Sequence, residues 1–263
     1  MHDPSTRPRT RREPPRFRDV EVLAVQPLGP WMVRVTLGGP ALQGFTVEEP
    51  AASVRLLLPS GPADELVRPV WNGNEFLLAD GRRPVIRTLT PLHVTGRTFD
   101  VDIVVHGDGR ASQWAARAEP GSPAAISGPG RGYAIDASAD AFLVAGDETA
   151  MPAIGQLLSL LPPSATVAVH VEIAHPDARL ALPSHPGATI AWLDASADAS
   201  PGTALVEAVL AADVDTETRI WIAGEAASMQ RIRGGLFTDR GLPRTNATIR
   251  GYWKHGRAGD DEP

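Results

Sequence analysis

Hydrophobic and polar positions alternate along short segments of the first half of the chain. Phe99, Val101 and Ile103 alternate with Asp100 and Asp102, which is the two-residue period of a half-buried β-strand. Gly or Pro stands at nearly every join between these segments. Six strands at this spacing predict an antiparallel barrel or sandwich, with a short helix at ASQWAARAE before the last strand. The strand segments are VEVLAVQPL, WMVRVTLGG, SVRLLLPS, PVIRTLTPLHV, TFDVDIVVHG and SPAAISGP.

The pattern changes after residue 138, where strand-like segments are separated by helical ones. The strand-like segments are AFLVAG, TVAVHVEIA, ATIAWLD, TRIWIAG and ATIRGYW, and the helical ones are PAIGQLLSLL, PGTALVEAVLAA and AASMQRIRGGLFTDRG. This alternation predicts a mostly parallel, doubly wound α/β sheet. We therefore expect a basic, disordered tail over residues 1–16, a β domain over 17–137 and an α/β domain over 138–263, with a ligand cleft between the two domains.

Composition narrows the chemistry. The 263 residues contain no cysteine, which excludes disulfides, thiolate metal sites, cysteine nucleophiles and a protein-bound iron–sulfur cluster. Any redox chemistry must then lie on an organic cofactor or a non-thiolate metal, and we expect no resident metal. A net charge of −6 argues against nucleic acid as a partner. No apolar run approaches the roughly 20 residues that span a bilayer, and the first residues lack an apolar signal core, so we expect a cytoplasmic protein without membrane insertion.

The strand segment Arg87-Thr88-Leu89-Thr90 is the first candidate site. An arginine fork close to a threonine hydroxyl suits a pyrophosphate and the edge of a ring, although an arginine that merely faces solvent fits equally well.

A strand end followed by a helix start is the second candidate. His106 and Gly107 end the strand, and a helix beginning near Ala111 and Ser112 offers an anion site at its N-terminus. Three structural alternatives remain open: Ser112 as an ordinary helix cap, His106 as a turn residue, and Trp114 as part of the core.

The segment AFLVAGDETAMPAIGQLL runs from a strand through a glycine turn into a helix. It matches neither of the common phosphate-binding glycine motifs. Asp147 or Thr149 can cap the helix, and Pro152 suits its first turn. Asp147 and Glu148 place negative charge where a phosphate would be disfavoured, and a capped helix without a ligand explains the segment as well.

Three more segments carry candidate residues. GPGRGY at residues 128–133 can bring backbone close to a ligand or form an ordinary turn. Gly224 and Glu225 end a strand that should reach the same sheet edge as Gly146. The segment RGYWKHGR gathers Tyr252, Trp253, Lys254, His255 and Arg257 into an aromatic plug or an aromatic and cationic patch. Lys254 is the single lysine of the chain.

Together these segments resemble the siderophore-interacting protein family of flavin-dependent ferric-siderophore reductases, within the ferredoxin-reductase-like superfamily. GDETAMPA and GYWKHG, in this order and spacing, are the specific motifs, and the resemblance covers nearly all of the chain after about residue 17. It implies a six-stranded antiparallel Greek-key β-barrel that binds FAD non-covalently, followed by a doubly wound α/β domain that binds NADPH or NADH.

The resemblance also implies roles for individual residues. Arg87 would hold the FAD pyrophosphate, Thr90 would face the flavin N5 as the catalytic residue, and Ser112 would lie at a phosphate. The implied cofactor-binding residues are Arg87, Thr88, Leu89, Thr90, His106, Gly107, Ala111, Ser112, Trp114, Asp147, Glu148, Thr149, Pro152, Gly224, Glu225 and Trp253, of which the acidic turn would face the nicotinamide. Lys254 and Arg257 would attract the substrate, a ferric siderophore.

One position departs from the family pattern. The family usually has Arg-x-Tyr-Thr, and Leu89 stands where the tyrosine would be. Leucine can pack against a flavin but lacks an aromatic face, which loses about 1 kcal/mol of stacking free energy. The ring of Trp253 could supply a replacement aromatic face. Leu89 also leaves room for another flavin, such as a deazaflavin.

The expected activity is hydride transfer from NAD(P)H to FAD, followed by single-electron reduction of chelated Fe(III) and release of Fe(II), in a monomer or weak dimer. Two alternatives stay open: a general NAD(P)H:flavin oxidoreductase with another acceptor, and a non-catalytic siderophore-binding protein. Arg179 is a loose candidate for binding the 2′-phosphate of NADPH.

Overall fold

The structure, a computed structural model, describes residues 16–60, 65–105, 107 and 109–256. The predictions for His106, for Arg257 and for all but the last residue of the basic tail therefore lie outside the described residues. The elements of the first half are β1 (Arg18–Pro27), β2 (Met32–Gly38), β3 (Val54–Leu57), β4 (Val70–Trp71), β5 (Phe76–Leu77), β6 (Ile86–Leu89), β7 (Thr98–Val104), α1 (Arg110–Arg117) and β8 (Pro123–Ser127), with a 3₁₀ turn at Pro40–Leu42.

Six of these strands form an antiparallel barrel in the order β6-β3-β8-β1-β2-β7. Strands distant in sequence pair directly, β1 with β8 and β2 with β7, which is the non-local order of a Greek key. An antiparallel bridge between Leu92 and Asp100, with two backbone hydrogen bonds of 2.8 Å, joins the segment after β6 to β7. The predicted six-stranded antiparallel barrel is confirmed.

The alternation along β7 explains how this strand lies in the barrel. Phe99 and Val101 are fully buried in the barrel core, while the intervening aspartates point to the other side. Asp102 accepts two hydrogen bonds from Arg34 on β2, at 2.7 and 2.8 Å, across the paired strands. Such cross-strand pairs hold the register that the hydrophobic pattern selects.

The hairpin of β4 and β5 was not predicted from the sequence. Each of its strands has two residues, too few for any period to show. Its turn is set locally, because the side chain of Asn72 accepts hydrogen bonds from the backbone N–H groups of Asn74 and Glu75, both at 2.9 Å.

The second half forms a five-stranded parallel sheet in the order β11-β10-β9-β12-β13, which confirms the predicted doubly wound domain. Its elements are β9 (Ala141–Asp147), α2 (Met151–Leu160), β10 (Thr166–Ile173), β11 (Ala188–Asp194), α3 (Thr203–Ala211), β12 (Arg219–Glu225), α4 (Ala226–Arg233), a π-helix (Gly234–Asp239) and β13 (Ala247–Trp253), with 3₁₀ turns at Glu148–Ala150, Pro176–Ala178 and Arg244–Asn246. The strand order reverses between β9 and β12, where such sheets bind ligands.

Strand β9 is apolar throughout because both of its faces are covered. Phe142 and Val144 lie in the cluster with α2, whereas Leu143 and Ala145 lie in the cluster with α3 and α4. A central parallel strand therefore reads as a continuous hydrophobic run instead of an alternating one.

Two polar side chains of the α/β domain bind the barrel domain. Gln156 on α2 accepts a hydrogen bond from Ala51 N and donates one to the Pro91 carbonyl, both at 2.8 Å. Arg250 on β13 donates to three barrel carbonyls at 2.7–3.0 Å. These are the carbonyls of Ala51, Arg131 and Gly132. The contacts bring the carboxyl edge of the parallel sheet beside the barrel.

Candidate functional site

Two glycines shape the point where the strand order reverses. Gly146 near the end of β9 pairs with Ala223 of β12. A Cβ at Gly146 would lie 2.7 Å from the Ala223 carbonyl, and a Cβ at Gly224 would lie 2.7 Å from Asp147 Oδ2. Both glycines are therefore needed for close packing of the strand ends, and Gly224 makes room for the Asp147 carboxylate.

Asp147 connects the turn after β9 to β13. Its Oδ1 accepts hydrogen bonds from Thr149 N at 3.0 Å and Thr149 Oγ1 at 2.5 Å, and its Oδ2 accepts one from Trp253 Nε1 at 2.7 Å. Burial raises the pKa of Asp147, while these hydrogen bonds act in the opposite direction. Asp147 is thus the cap of the 3₁₀ turn Glu148–Ala150, and Thr149 donates to it. The N-cap of α2 itself is Ala150, which makes no side-chain cap, so neither Asp147 nor Thr149 caps that helix directly; Pro152 lies in its first turn, as predicted.

Glu148 points to a different strand. Its Oε1 accepts a hydrogen bond from Ala174 N, just beyond β10, at 2.6 Å. Burial raises the pKa of Glu148, and the negative charges of Asp147 and Glu172 raise it further. The two acids of the predicted acidic turn therefore point to different strands, Asp147 toward β13 and Glu148 toward β10.

The raised pKa of Glu148 predicts how stability changes with pH. A carboxyl whose pKa is raised by folding destabilises the folded state at any pH above its ordinary pKa of 4.5. This destabilisation grows as the pH rises from 4.5 to the folded-state pKa and is fully present above it. Glu148→Gln keeps an oxygen for Ala174 N and removes the charge. We expect its Tm to match the parent near pH 4.5 and to exceed it by about 1–4 °C at neutral pH. Thermal unfolding from pH 4.5 to 8 measures the difference in Tm. Glu207→Gln on the exposed side of α3 is the control. A Tm difference between Glu148→Gln and the parent that shrinks with rising pH would contradict a raised pKa of Glu148.

Carboxylates also occupy the neighbouring helix starts at this edge. Glu172 on β10 accepts from Gly202 N at 2.6 Å and Leu205 N at 2.7 Å, at the start of α3. Glu225 at the end of β12 accepts from Ser228 N at 2.9 Å, at the start of α4. Helix N-termini are the usual anion sites of an α/β domain, and here the protein's own carboxylates take them. A nucleotide phosphate does not suit these positions.

The start of α1 in the barrel domain has a different character. Gly109 is the N-cap, and the first turn of α1 contains no acidic residue; Asp108 lies outside the described residues. Ser112 is buried in the first turn and is not the cap, so its interpretation as an ordinary N-cap is wrong. The antiparallel bridge of Leu92 and Asp100 directs the start of β6 toward the end of β7, which places Arg87 at the same end of the barrel as α1.

This end of the barrel fits an anionic cofactor. Arg87 is half-buried and donates from Nη1 to the Ile86 carbonyl at 2.9 Å. A guanidinium on one strand, with backbone N–H groups at a nearby helix start, is a donor set that suits a pyrophosphate.

Thr90 lies where the two domains meet. It follows β6, is 6% exposed, and lies close enough to the Tyr252 hydroxyl on β13 to lower its pKa, against the larger effect of burial, which raises it. Tyr252 also packs edge-on against Trp221, with ring centroids 6.4 Å apart. The sequence placed Tyr252 in an aromatic cluster without assigning it a site role. Its partner is 162 positions away along the chain, so only its place in the GYW motif could have indicated the contact.

The remaining barrel candidates divide between core and surface. Trp114 is buried in the barrel core, which agrees with the alternative that this residue is part of the core. Leu89 and Ala111 are partly buried against the same core, and Thr88 and Gly107 are exposed. In the GPGRGY segment, a Cβ at Gly132 would lie 2.8 Å from the Pro50 carbonyl, so this glycine serves chain packing.

The end of β13 presents an exposed aromatic and cationic surface. Trp253 is 36% exposed although its indole N–H is bound by Asp147, and its ring lies 6.4 Å from that of His255. Lys254 is exposed, and no hydrogen bond or ion pair holds it within the described part of the chain. His255 N donates to Glu225 Oε1 at 3.2 Å, which ties this segment to β12.

The described residues offer neither a cluster of metal ligands nor a membrane-spanning helix. No group of three or more His, Cys, Asp or Glu side chains there is arranged to hold a metal ion. Over the same residues, no helix combines the length and the apolar character needed to cross a membrane.

Comparisons with known proteins match both halves of the chain. Residues 21–133 match the model of the siderophore-interacting FAD-binding domain, and residues 139–256 match that of the siderophore-interacting protein. A crystal structure of a siderophore utilization protein from T. fusca superposes with a TM-score of 0.80 at 33% identity, covering 93% of this chain and 95% of that one.

Two curated relatives carry functional names. Ferric vibriobactin reductase ViuB of Vibrio cholerae is 29% identical over 232 residues, covering 86% of this chain and 85% of that protein. The NADPH-dependent ferric-chelate reductase of Escherichia coli is 29% identical over 221 residues, covering 82% and 85%.

The fold and the comparisons agree. The barrel that the sequence predicted to bind FAD is the part matched by an FAD-binding domain model, so the FAD prediction is confirmed. The chain belongs to the siderophore-interacting protein family.

Proposed function

We propose that this protein uses FAD to reduce the Fe(III) of a ferric siderophore with electrons from a reduced nicotinamide nucleotide. The observation that carries the proposal is the set of hydrogen bonds that Arg250 of β13 donates to three carbonyls of the barrel domain, at 2.7–3.0 Å. It joins the FAD-binding domain to the open edge of the parallel sheet, so a flavin and a nicotinamide bound to the two domains would meet there. The names of the Vibrio cholerae and Escherichia coli relatives support iron reduction as the activity.

The barrel residues bind and orient the cofactor. When bound, FAD supplies the conversion between two-electron transfer from a nicotinamide and single-electron transfer to iron. Arg87 and the start of α1 hold the pyrophosphate, since both lie at one end of the barrel. Thr90 orients the ring edge, with the Tyr252 side chain of β13 beside it.

The strand ends of the α/β domain receive the nicotinamide. Asp147 holds the indole of Trp253 and the turn at Thr149 in one arrangement. Glu172 and Glu225 occupy the starts of α3 and α4, so these two helix starts suit the uncharged ring of the nucleotide and not its phosphates.

The substrate approaches the end of β13. Lys254 is exposed there beside Trp253. Its positive charge attracts an anionic ferric chelate over the Debye length of about 8 Å. Reduction to Fe(II) weakens binding by hard oxygen ligands and releases the metal, so no dedicated iron ligands are required of the protein.

Replacing Lys254 tests this approach. For Lys254→Ala we expect kcat/KM for an anionic ferric catecholate complex to fall about 2- to 10-fold at low ionic strength. The loss should disappear in about 0.5 M salt, because screening removes the attraction. Arg231→Ala, which removes an exposed charge on α4, is the control. An equal loss with a neutral ferric complex would contradict the electrostatic role.

The absorbance spectrum of the purified protein tests the function. We expect a flavin band near about 450 nm that bleaches when reduced nucleotide is added under anaerobic conditions, and Fe(II) capture by a ferrous chelator when a ferric siderophore follows. A colourless protein that binds ferric siderophore without oxidising nucleotide would instead show a non-catalytic binder. Bleaching without Fe(II) formation would show a general flavin oxidoreductase.

A further inference from the structure

The strand order of the parallel sheet indicates where the two ends of a bound dinucleotide lie. In a doubly wound sheet of this order, the dinucleotide crosses the point of reversal, and its adenosine ribose lies beyond the second strand. Here the second strand is β10, flanked by β11. An acidic residue in this region suits the free 2′-hydroxyl of NADH, whereas an available arginine suits the 2′-phosphate of NADPH.

The segments that follow these two strands contain little positive charge. Residues 174–187, after β10, contain one arginine, Arg179, and no lysine. Residues 195–202, after β11, contain no basic residue. Asp177, Asp194 and Asp198 lie in or beside the same two segments, so carboxylates outnumber the arginine.

The one arginine is already paired. Arg179 Nη2 lies 3.1 Å from Asp194 Oδ1. Asp194 ends β11 and is in register with Ile173, which ends β10, so the carboxylate lies at the strand edge itself. A phosphate that bound the remaining donors of Arg179 would lie close to the negative charge of this carboxylate.

Nearby backbone donors are also engaged by carboxylates or by the chain. Glu148 holds Ala174 N at 2.6 Å, and Asp177 N donates to His175 Nδ1 at 3.2 Å. Asp177 Oδ2 lies 3.5 Å from the same imidazole nitrogen. The backbone donors of Ala174 and Asp177, which lie on either side of His175, are therefore already engaged within the protein.

We propose that NADH, and not NADPH, is the electron donor of this protein, and that Asp194 sets the preference by engaging Arg179. This inference rests on the proposed function and adds the identity of its donor. It distinguishes the chain from the Escherichia coli relative, whose name specifies NADPH. A 2′-phosphate carries a charge of about −1.5 to −2 at neutral pH, and the carboxylates at this edge repel it.

Binding of nucleotide fragments tests the proposal without any redox reaction. Using calorimetry on the oxidised FAD-bound protein, we expect 5′-ADP to bind at least about tenfold more tightly than 2′,5′-ADP. Asp194→Ala should raise affinity for 2′,5′-ADP about 3- to 10-fold and leave 5′-ADP within about twofold. Adding Arg179→Ala to that variant should abolish the gain, because the released guanidinium is its source.

Asp80→Ala breaks a comparable exposed Asp–Arg pair in the barrel, Asp80 with Arg82, and should change neither affinity. Tighter binding of 2′,5′-ADP by the parent protein, binding of neither fragment, or no gain in Asp194→Ala would each overturn the proposal. Anaerobic titration separates it from the proposed function: equal flavin bleaching by NADH and NADPH refutes only the donor preference, whereas bleaching by neither refutes the reductase itself.

Discussion

Asp147→Ala is expected to slow flavin reduction by the nucleotide about 10- to 100-fold while FAD stays bound. The substitution removes the acceptor for three hydrogen bonds, two from Thr149 and one from Trp253. Without it, the turn after β9 and the indole at the end of β13 lose their common anchor, and a displacement of about 1 Å between reacting groups can cost about 100-fold in rate. Because Arg87 and α1 lie in the other domain, the FAD affinity should change less than about threefold.

Stopped-flow flavin bleaching and a fluorescence titration with FAD measure the two effects separately. Asp215→Ala is a matched control: Asp215 accepts from Glu217 N, Thr218 N and Thr218 Oγ1 at 2.8–2.9 Å, but before β12, at the opposite edge of the sheet. It should leave the bleaching rate unchanged. If Asp147→Ala lowers the affinity for FAD by a larger factor than it lowers the rate of flavin reduction, the turn lies beside the flavin and not beside the nicotinamide.

Arg87→Ala is expected to raise the Kd for FAD about 10- to 100-fold. Hydrogen bonds to charged groups are worth about 1.5–3 kcal/mol, and Arg87 is the one side chain proposed to bind the pyrophosphate, because the start of α1 supplies backbone donors. Arg87→Lys keeps the charge but loses the planar fork, so it should fall between the parent and the alanine variant.

FAD titration of flavin-free protein provides the measurement, with thermal unfolding of the same samples to show that the barrel stays folded. Arg97→Ala is the control, since Arg97 is exposed in the turn before β7, at the far end of that strand from α1. An Arg87→Ala variant that retains FAD like the parent would place the pyrophosphate elsewhere on the barrel.

Much of the fold follows from local patterns. The alternation along β7 and the continuous apolar run of β9 each predict the right kind of strand, because burial on one face or on two leaves different periods in the sequence. The hairpin of β4 and β5 was missed because two-residue strands have no period. The helix at α1 was predicted, but its cap is Gly109 and not Ser112.

The candidate site was only partly predictable. Asp147 as the cap of the 3₁₀ turn before α2 follows from short-range chemistry, since its donor at Thr149 is two residues away. Its second donor, Trp253, is 106 positions away, and no pattern within one segment reports such a contact. The sequence also did not predict that Glu148 points toward β10, because its contact with Ala174 N forms only when the end of β10 lies beside the turn.

The sequence by itself determined the kinds of strands and helices, their order, the exclusion of cysteine chemistry and the motifs that resemble the family, because these depend on residue type and short spacing. Tertiary structure alone decided which strand ends became neighbours. Thr90 meets Tyr252, Asp147 meets Trp253, and Arg179 meets Asp194 only after the sheet has formed. The physical reason is that strand order and register bring together groups that are distant in the chain, and pairing between side chains depends on distance in space.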